Sequence, residues 1–147
     1  MRAQNPQLTW LSDPEVFEVN RKTPHSDHLY YETLEEAVAE APMALRQSLN
    51  GTWLFSYAKN PSLRVKDFYK TDFDCSAFDA IQVPGHIQTQ GYDEMMYINT
   101  QYPWDGTEFL RPPHISETYN PVGSYVKFFQ VDETLKGKPV CLISSSF

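Results

Sequence analysis

The spacing of apolar positions changes character several times along this chain. Residues 1–32 are polar, marked by prolines and without a period, and predict an extended N-terminal arm that lies on some other surface. Thr33-Leu34-Glu35-Glu36 then has the form of a capping box: the Thr33 hydroxyl can accept from the amide of Glu36, whose carboxylate can reach back. Leu34, Val38, Ala41 and Leu45 follow at helical spacing, so a short helix is expected over 34–41, interrupted by Pro42, with a further turn toward Gln47. From Thr52 the period becomes two. Trp53, Phe55 and Tyr57 alternate with smaller or polar residues, the mark of a half-buried strand. Asn60-Pro61-Ser62 is a turn, and Ile81-Gln82-Val83 is a short strand stopped by Pro84-Gly85. Residues 124–131 predict a strand with Tyr125, Lys127, Phe129 and Val131 on one face. Residues 135–138 turn the chain, and 139–144 open a further strand.

Between these strands, residues 86–120 show little period and carry Pro103, Pro112 and Pro113. A connection of that length is uncommon unless it has work to do. Strands separated by turn signals, with one short helix, define an all-β chain and suggest a β-sandwich.

Composition narrows the partners. A net charge of −7 disfavours nucleic acid and anionic membrane, both of which need a positive patch. No apolar run reaches membrane-spanning length, and the first residues lack a secretory apolar core, so the expected compartment is the cytoplasm. Cys75 and Cys141 stand in unrelated contexts, with no CxxC or disulfide framework, which also fits a reducing compartment. The aromatic share, 14%, can fill an all-β core, and flat rings can also stack on sugars.

Four segments, in order, carry a resemblance. They are Asp13-Pro14-Glu15-Val16-Phe17-Glu18-Val19-Asn20-Arg21 with Pro24-His25-Ser26-Asp27-His28; Ser48-Leu49-Asn50-Gly51-Thr52-Trp53-Leu54-Phe55; Val83-Pro84-Gly85 with Gln90-Gly91-Tyr92-Asp93 and Tyr97-Ile98-Asn99-Thr100-Gln101-Tyr102-Pro103; and Asn120-Pro121-Val122-Gly123-Ser124-Tyr125. Together they resemble the family 2 β-galactosidases. The resemblance implies an extended arm over 1–32 and, over 33–147, an incomplete jelly-roll β-sandwich of the galactose-binding-like kind. It implies that the whole enzyme hydrolyses terminal β-D-galactosides such as lactose with retention, through two glutamates in a later barrel. It therefore implies no catalytic residue in this chain. Full-length relatives use magnesium and a monovalent cation, whose ligands lie mostly beyond this chain, so no cofactor and no metal site is expected here. The implied partners are a β-galactoside and the remaining domains or subunits of the enzyme. Asn99 matches the asparagine that reaches galactose hydroxyls, and Thr100 beside it could touch the same pocket. A carboxamide offers both donor and acceptor to a hydroxyl. The structural alternative for Asn99 is a turn residue bonded to its own loop.

Other candidates read more plainly as scaffold. His25, Asp27 and His28 have acceptable spacing for zinc but no evident further ligand. One of Glu15 and Glu18 could approach the magnesium region of a whole enzyme. Trp104-Asp105-Gly106 is either a sugar-stacking tryptophan or an Asp-Gly turn with a packing ring. Asp132 and Glu133 are adjacent, and side chains of strand neighbours point apart. Tyr92-Asp93-Glu94 reads as loop scaffold. Relatives often carry Trp where Ile87 stands and Pro where Met95 stands, and the latter change removes a fixed φ.

The final Ser144-Ser145-Ser146-Phe147 replaces an expected strand and turn, which suggests a truncated piece, a frameshifted gene or an incomplete reading frame. An incomplete sandwich leaves edges open and is expected to be marginally stable and prone to association. Two other functions fit the residues: a free-standing carbohydrate-binding module, and a structural piece of a heteromeric galactosidase. An independent hydrolase does not, since no carboxylate pair or nucleophile arrangement is visible.

Overall fold

The computed structural model describes residues 7–19, 21–23, 28–95 and 104–144. Among the described residues the regular structure is a three-stranded antiparallel sheet, one five-residue α-helix and four 3₁₀ turns. The strands are β1 (Gly51–Ala58), β2 (Asp79–Val83) and β3 (Val122–Val126), in the order β2-β1-β3. The expectation of an all-β chain with one short helix holds at this level. The sheet itself is an open three-stranded one.

Chain contacts divide the protein into two units, residues 1–23 with 50–127, and residues 24–49 with 128–147. The first contains the sheet. β1 is its central strand because the alternation of Trp53, Phe55 and Tyr57 gives a strand long enough to pair on both edges. Its first half pairs with β2, Trp53 opposite Ile81, and its second half with β3, Phe55 opposite Tyr125 and Tyr57 opposite Gly123. Phe55 is fully buried and Ile81 is 2% exposed; together they centre the core. The Phe55 ring meets Tyr92 at 4.7 Å and Tyr125 at 4.8 Å between centroids, in tilted and edge-on arrangements favourable to aromatic pairs. Gly123 makes room for that ring: a Cβ there would lie 2.6 Å from Phe55 Cε2.

Side chains finish the sheet where strands stop. β3 is shorter than the 124–131 expected, ending at Val126. Beyond it, Lys127 Nζ donates to the Thr52 carbonyl at 2.7 Å, so a side chain supplies the bond that a longer ladder would. On the outer edge of β2 the Gln90 carboxamide bonds Gln82 twice: it accepts from the Gln82 amide at 2.8 Å and donates to its carbonyl at 3.0 Å. This imitates a neighbouring strand and blunts an edge otherwise open to pairing. Gly85 permits it, since a Cβ there would meet Gln90 Nε2 at 2.6 Å. In the arm region, residues Leu8–Ser12 form a 3₁₀ turn with no buried residue, so this part is not fully extended.

The second unit holds α1 (Leu34–Val38). The capping box is formed as expected, with Thr33 Oγ1 accepting from the Glu36 amide and Glu36 Oε2 accepting from the Thr33 amide. The helix is shorter than 34–41, ending before Glu40, whose φ is 48°. Leu34 and Val38 remain exposed, so the apolar spacing does not mark a buried face. Gln47 ties the segment after Phe128, accepting from the Asp132 amide at 3.0 Å and donating to the Gln130 carbonyl at 2.7 Å. Lys138 pairs with Glu32 at 2.8 Å, and Leu135 is buried. The strand expected over 139–144 is not formed: these residues have no ladder partner among the described residues, and Val140, Leu142 and Ile143 are exposed. A strand without a partner leaves its backbone groups to water, and coil serves equally well.

Candidate functional site

The long connection after β2 is where chemistry was expected, and its described parts form the most elaborate polar network in the sheet unit. Asp93 sits at its centre with φ 62°, in the left-handed region. Its Oδ1 accepts from the hydroxyl of Tyr57, on β1, at 3.2 Å, and forms a short hydrogen bond from the hydroxyl of Tyr119. The Gln88 side chain and the Glu94 amide also bond to it. Burial pushes the Asp93 carboxyl up, but the donors, Tyr119 foremost, outweigh it and hold the group below the ordinary carboxylate range. The same bond holds the Tyr119 hydroxyl up at about 12. Tyr57 is raised too, by burial first and then by the Asp93 charge. Asp93 is therefore an ionised acceptor gripped by neutral phenols.

Around it, Tyr92 packs on Phe55 and donates from its hydroxyl to Asp79 on β2 at 2.9 Å. Gln88 also lines, with His86, Thr89 and Met95, an open hollow at the start of the connection.

A second network organises the far end. Ser116, 1% exposed, donates to Glu108 Oε1 at 2.5 Å, and its oxygen accepts from the amides of Thr118 at 3.2 Å and Tyr119 at 2.9 Å. Thr118 donates to the same Glu108 oxygen at 2.8 Å. The Ser116 and Thr118 hydroxyls hold the Glu108 carboxyl below its usual value. Trp104, with φ 74°, donates from Nε1 to the Tyr119 carbonyl at 2.6 Å. Of its two readings, this geometry gives Trp104 a bonded, half-buried packing role at the head of a turn over 104–107.

Asn99 and Thr100, the expected ligand contacts, lie outside the described residues, as do His25 and Asp27. His28 makes an edge contact with the Tyr30 ring, centroids 6.1 Å apart. Glu15 and Glu18 are exposed. Asp132 precedes a 3₁₀ turn and Glu133 pairs with Lys136, so these two are not a carboxylate pair at a site. Among the described residues no three His, Cys, Asp or Glu side chains come together. No helix among the described residues is long and apolar enough to cross a membrane. Sequence reasoning recognised Asp93 as scaffold but missed its tyrosine donors. Tyr57 and Tyr119 stand 36 and 26 positions away from it, with no motif linking them.

Among the described residues, polar networks brace the two ends of one long connection in an all-β unit. The model of the glycosyl hydrolases family 2 sugar binding domain matches residues 46–143, and the chain belongs to this family. It is 60% identical over 133 residues to a β-galactosidase of Clostridium acetobutylicum, covering 90% of this chain and 15% of that protein. It is 52% identical over 132 residues to a β-galactosidase of Streptococcus thermophilus, covering 90% and 13%. It is 44% identical over 147 aligned positions to the β-galactosidase large subunit of Leuconostoc lactis, covering 92% and 23%. The chain thus spans less than a quarter of the length of these relatives.

Proposed function

We propose that this chain is the sugar-binding front region of a β-galactosidase, which hydrolyses terminal β-D-galactosides such as lactose with retention. In this reading residues 1–32 are an arm, residues 33–147 form part of a jelly-roll sandwich, and the reacting glutamates belong to the rest of the enzyme. Asn99, with Thr100 beside it, contacts the galactose hydroxyls. The remaining domains or subunits are its partners, and the reaction takes place in the cytoplasm. The carrying observation is the 60% identity over 133 residues to a whole β-galactosidase, within a sugar-binding family match. Free Cys75 and Cys141 fit a reducing compartment.

The test is reconstitution. The chain is mixed with Clostridium acetobutylicum β-galactosidase lacking the matched region, and a chromogenic galactoside is assayed. Restored hydrolysis supports the proposal. Asn99→Ala should then lower kcat/KM by about 1–3 kcal/mol, the cost of an unmade polar contact. Hydrolysis by the 147-residue chain alone would overturn the reading. A second reading, a piece of a heteromeric galactosidase that supplies interface only, draws on the relatives named as large subunits. Reconstitution insensitive to Asn99→Ala would favour it. Millimolar galactose binding by the isolated chain, followed by NMR, would instead favour a free-standing carbohydrate-binding module.

A further inference from the structure

Six asparagines occur in this chain, and the residue after each sorts them. Asn5, Asn60 and Asn120 precede prolines, which have no N–H. Asn20 precedes Arg21, and Asn99 precedes the β-branched Thr100. Asn50 alone precedes a glycine. The side-chain carbonyl of an asparagine is an electrophile for the backbone nitrogen that follows it, and a glycine leaves that nitrogen uncrowded.

The structure puts this pair where water and opening can reach it. Asn50 is exposed, at the entry to β1, whose first residue is Gly51. Gly51 has φ 112°, and among the described residues nothing lies within 4 Å of where a Cβ would stand. Its amide, however, is held. Gly51 stands opposite Val83, the end pair of the β1–β2 register. Gln82 turns its amide and carbonyl away from β1, onto the Gln90 carboxamide. Successive residues of a strand point these groups to opposite edges, so those of Val83 turn inward to Gly51. The opposite phase could not close, because Pro84 has no N–H to give. Thr52 agrees: its carbonyl points to the other edge of β1, where Lys127 Nζ reaches it at 2.7 Å. The Gly51 N–H is therefore a donor to the Val83 carbonyl, and an end pair opens more readily than the middle of a sheet.

We propose that Asn50 is a self-modifying site, which deamidates through Gly51 at a rate set by opening of the Gly51–Val83 pair. With the pair open, the Gly51 nitrogen gives up its proton and attacks the Asn50 side-chain carbonyl carbon. The new N–C bond closes a cyclic imide as the bond from that carbon to Nδ2 breaks, and ammonia leaves with a proton. Water then adds to either imide carbonyl and opens the ring to aspartate or isoaspartate. The product carries a new negative charge at the entry to the central strand, and its isoaspartyl form adds one methylene to the backbone there. With the pair closed, the nitrogen keeps its proton and the reaction waits.

The test compares two reactions of one N–H. The full 147-residue chain is aged at mildly alkaline pH, in buffer and in urea, and deamidation is located by mass spectrometry of its peptides. Exchange of the Gly51 amide is followed by NMR under the same two conditions. Folding should slow both reactions by the same factor, within about threefold, because both need the same pair open. In urea, Asn50 should deamidate ahead of Asn20 and Asn99. Asn50→Gln should keep the Gly51 protection and lose the product, since its longer side chain must close a larger ring. No product at Asn50 in urea overturns the site. Slowing factors that disagree beyond that margin, or a Gly51 amide left unprotected in buffer, overturn the control by pairing.

Discussion

Gly123→Ala tests the packing at the centre of the sheet. Gly123 lies on β3 opposite Tyr57, beside the buried Phe55 ring. An added Cβ would stand 2.6 Å from Phe55 Cε2, 3.3 Å from its Cζ and 2.9 Å from Tyr125 Cε2. Tyr125 is 38% exposed and can swing outward; Phe55 is fully buried and cannot. Overpacking of this kind costs about 1–3 kcal/mol. At about 1.4 kcal/mol per decade, protection of the β1 amides from exchange should fall roughly five- to 150-fold. The cause is specific, so it should be relievable. Phe55→Leu removes the ε and ζ atoms that the new methyl meets. Alone it should destabilise, through lost burial and a cavity. Combined with Gly123→Ala, it should cost less than the sum of the two, by about 1 kcal/mol. The assay is exchange of the β1 amides by NMR in all four proteins, which needs no cooperative melt. Strict additivity would refute the idea that the glycine exists to admit the ring.

Three further outcomes are expected. Ser116→Ala removes an oxygen serving the amides of Thr118 and Tyr119 and a donor to Glu108; stability should drop by about 1–3 kcal/mol in exchange or urea measurements, with protection of the Tyr119 amide lost first. Gln90→Ala strips the cover from the β2 edge, so the chain should self-associate more strongly with concentration in sedimentation velocity than the unmodified protein. The Asp93–Tyr119 bond should be pH-sensitive at both extremes. Asp93 is depressed, so its contribution is present above the ordinary carboxylate pKa and fades as pH falls below it; Tyr119 is raised to about 12, so its contribution is present below the ordinary phenol pKa of about 10 and fades as pH climbs toward 12. Local exchange near Asp93, corrected for intrinsic rates, should be flat between those limits, and a change near neutrality would contradict the assignment.

Local signals were legible wherever neighbours in sequence decide the structure. The Thr33 capping box formed as written, because both of its bonds span three residues. Alternation at Trp53, Phe55 and Tyr57 gave β1, and Ile81-Gln82-Val83 gave the core of β2. Strand ends were less legible. Residues 127–131 alternate as well as those before them, yet the ladder ends at Val126, and Lys127 bonds Thr52 by side chain instead. Period describes which face a residue could bury; it does not supply the partner strand. Residues 139–144 show the same failure in full. In the site, Asp93 was recognisable as scaffold from its Tyr-Asp-Glu context, but its partners join it from β1 and from beyond the loop, and no spacing rule links positions that only tertiary structure brings together. The jelly roll came from family resemblance, and the three-stranded sheet carries only its all-β character.

The distribution of burial explains why hydrogen bonds have so much to do here. Among the described residues of the sheet unit, Phe55, Ile81 and Ala58 are the buried apolar side chains, whereas Tyr69, Met95, Phe109 and Leu63 are among the exposed ones. Apolar burial on this scale cannot fix the long connection after β2, since ordering each residue costs about 1–2 kcal/mol of backbone entropy. What order the described parts of that connection have is carried by charged and hydroxyl groups: Asp93 between two phenols, Glu108 between Ser116 and Thr118, and Trp104 on the Tyr119 carbonyl. Bonds to ionised acceptors are the stronger kind and are directional. Burial holds surfaces together without fixing orientation, whereas a hydrogen bond fixes the direction in which a group points. Bonds to ionised acceptors such as Asp93 and Glu108 therefore set the direction of the described parts of this connection in a way that a larger core would not.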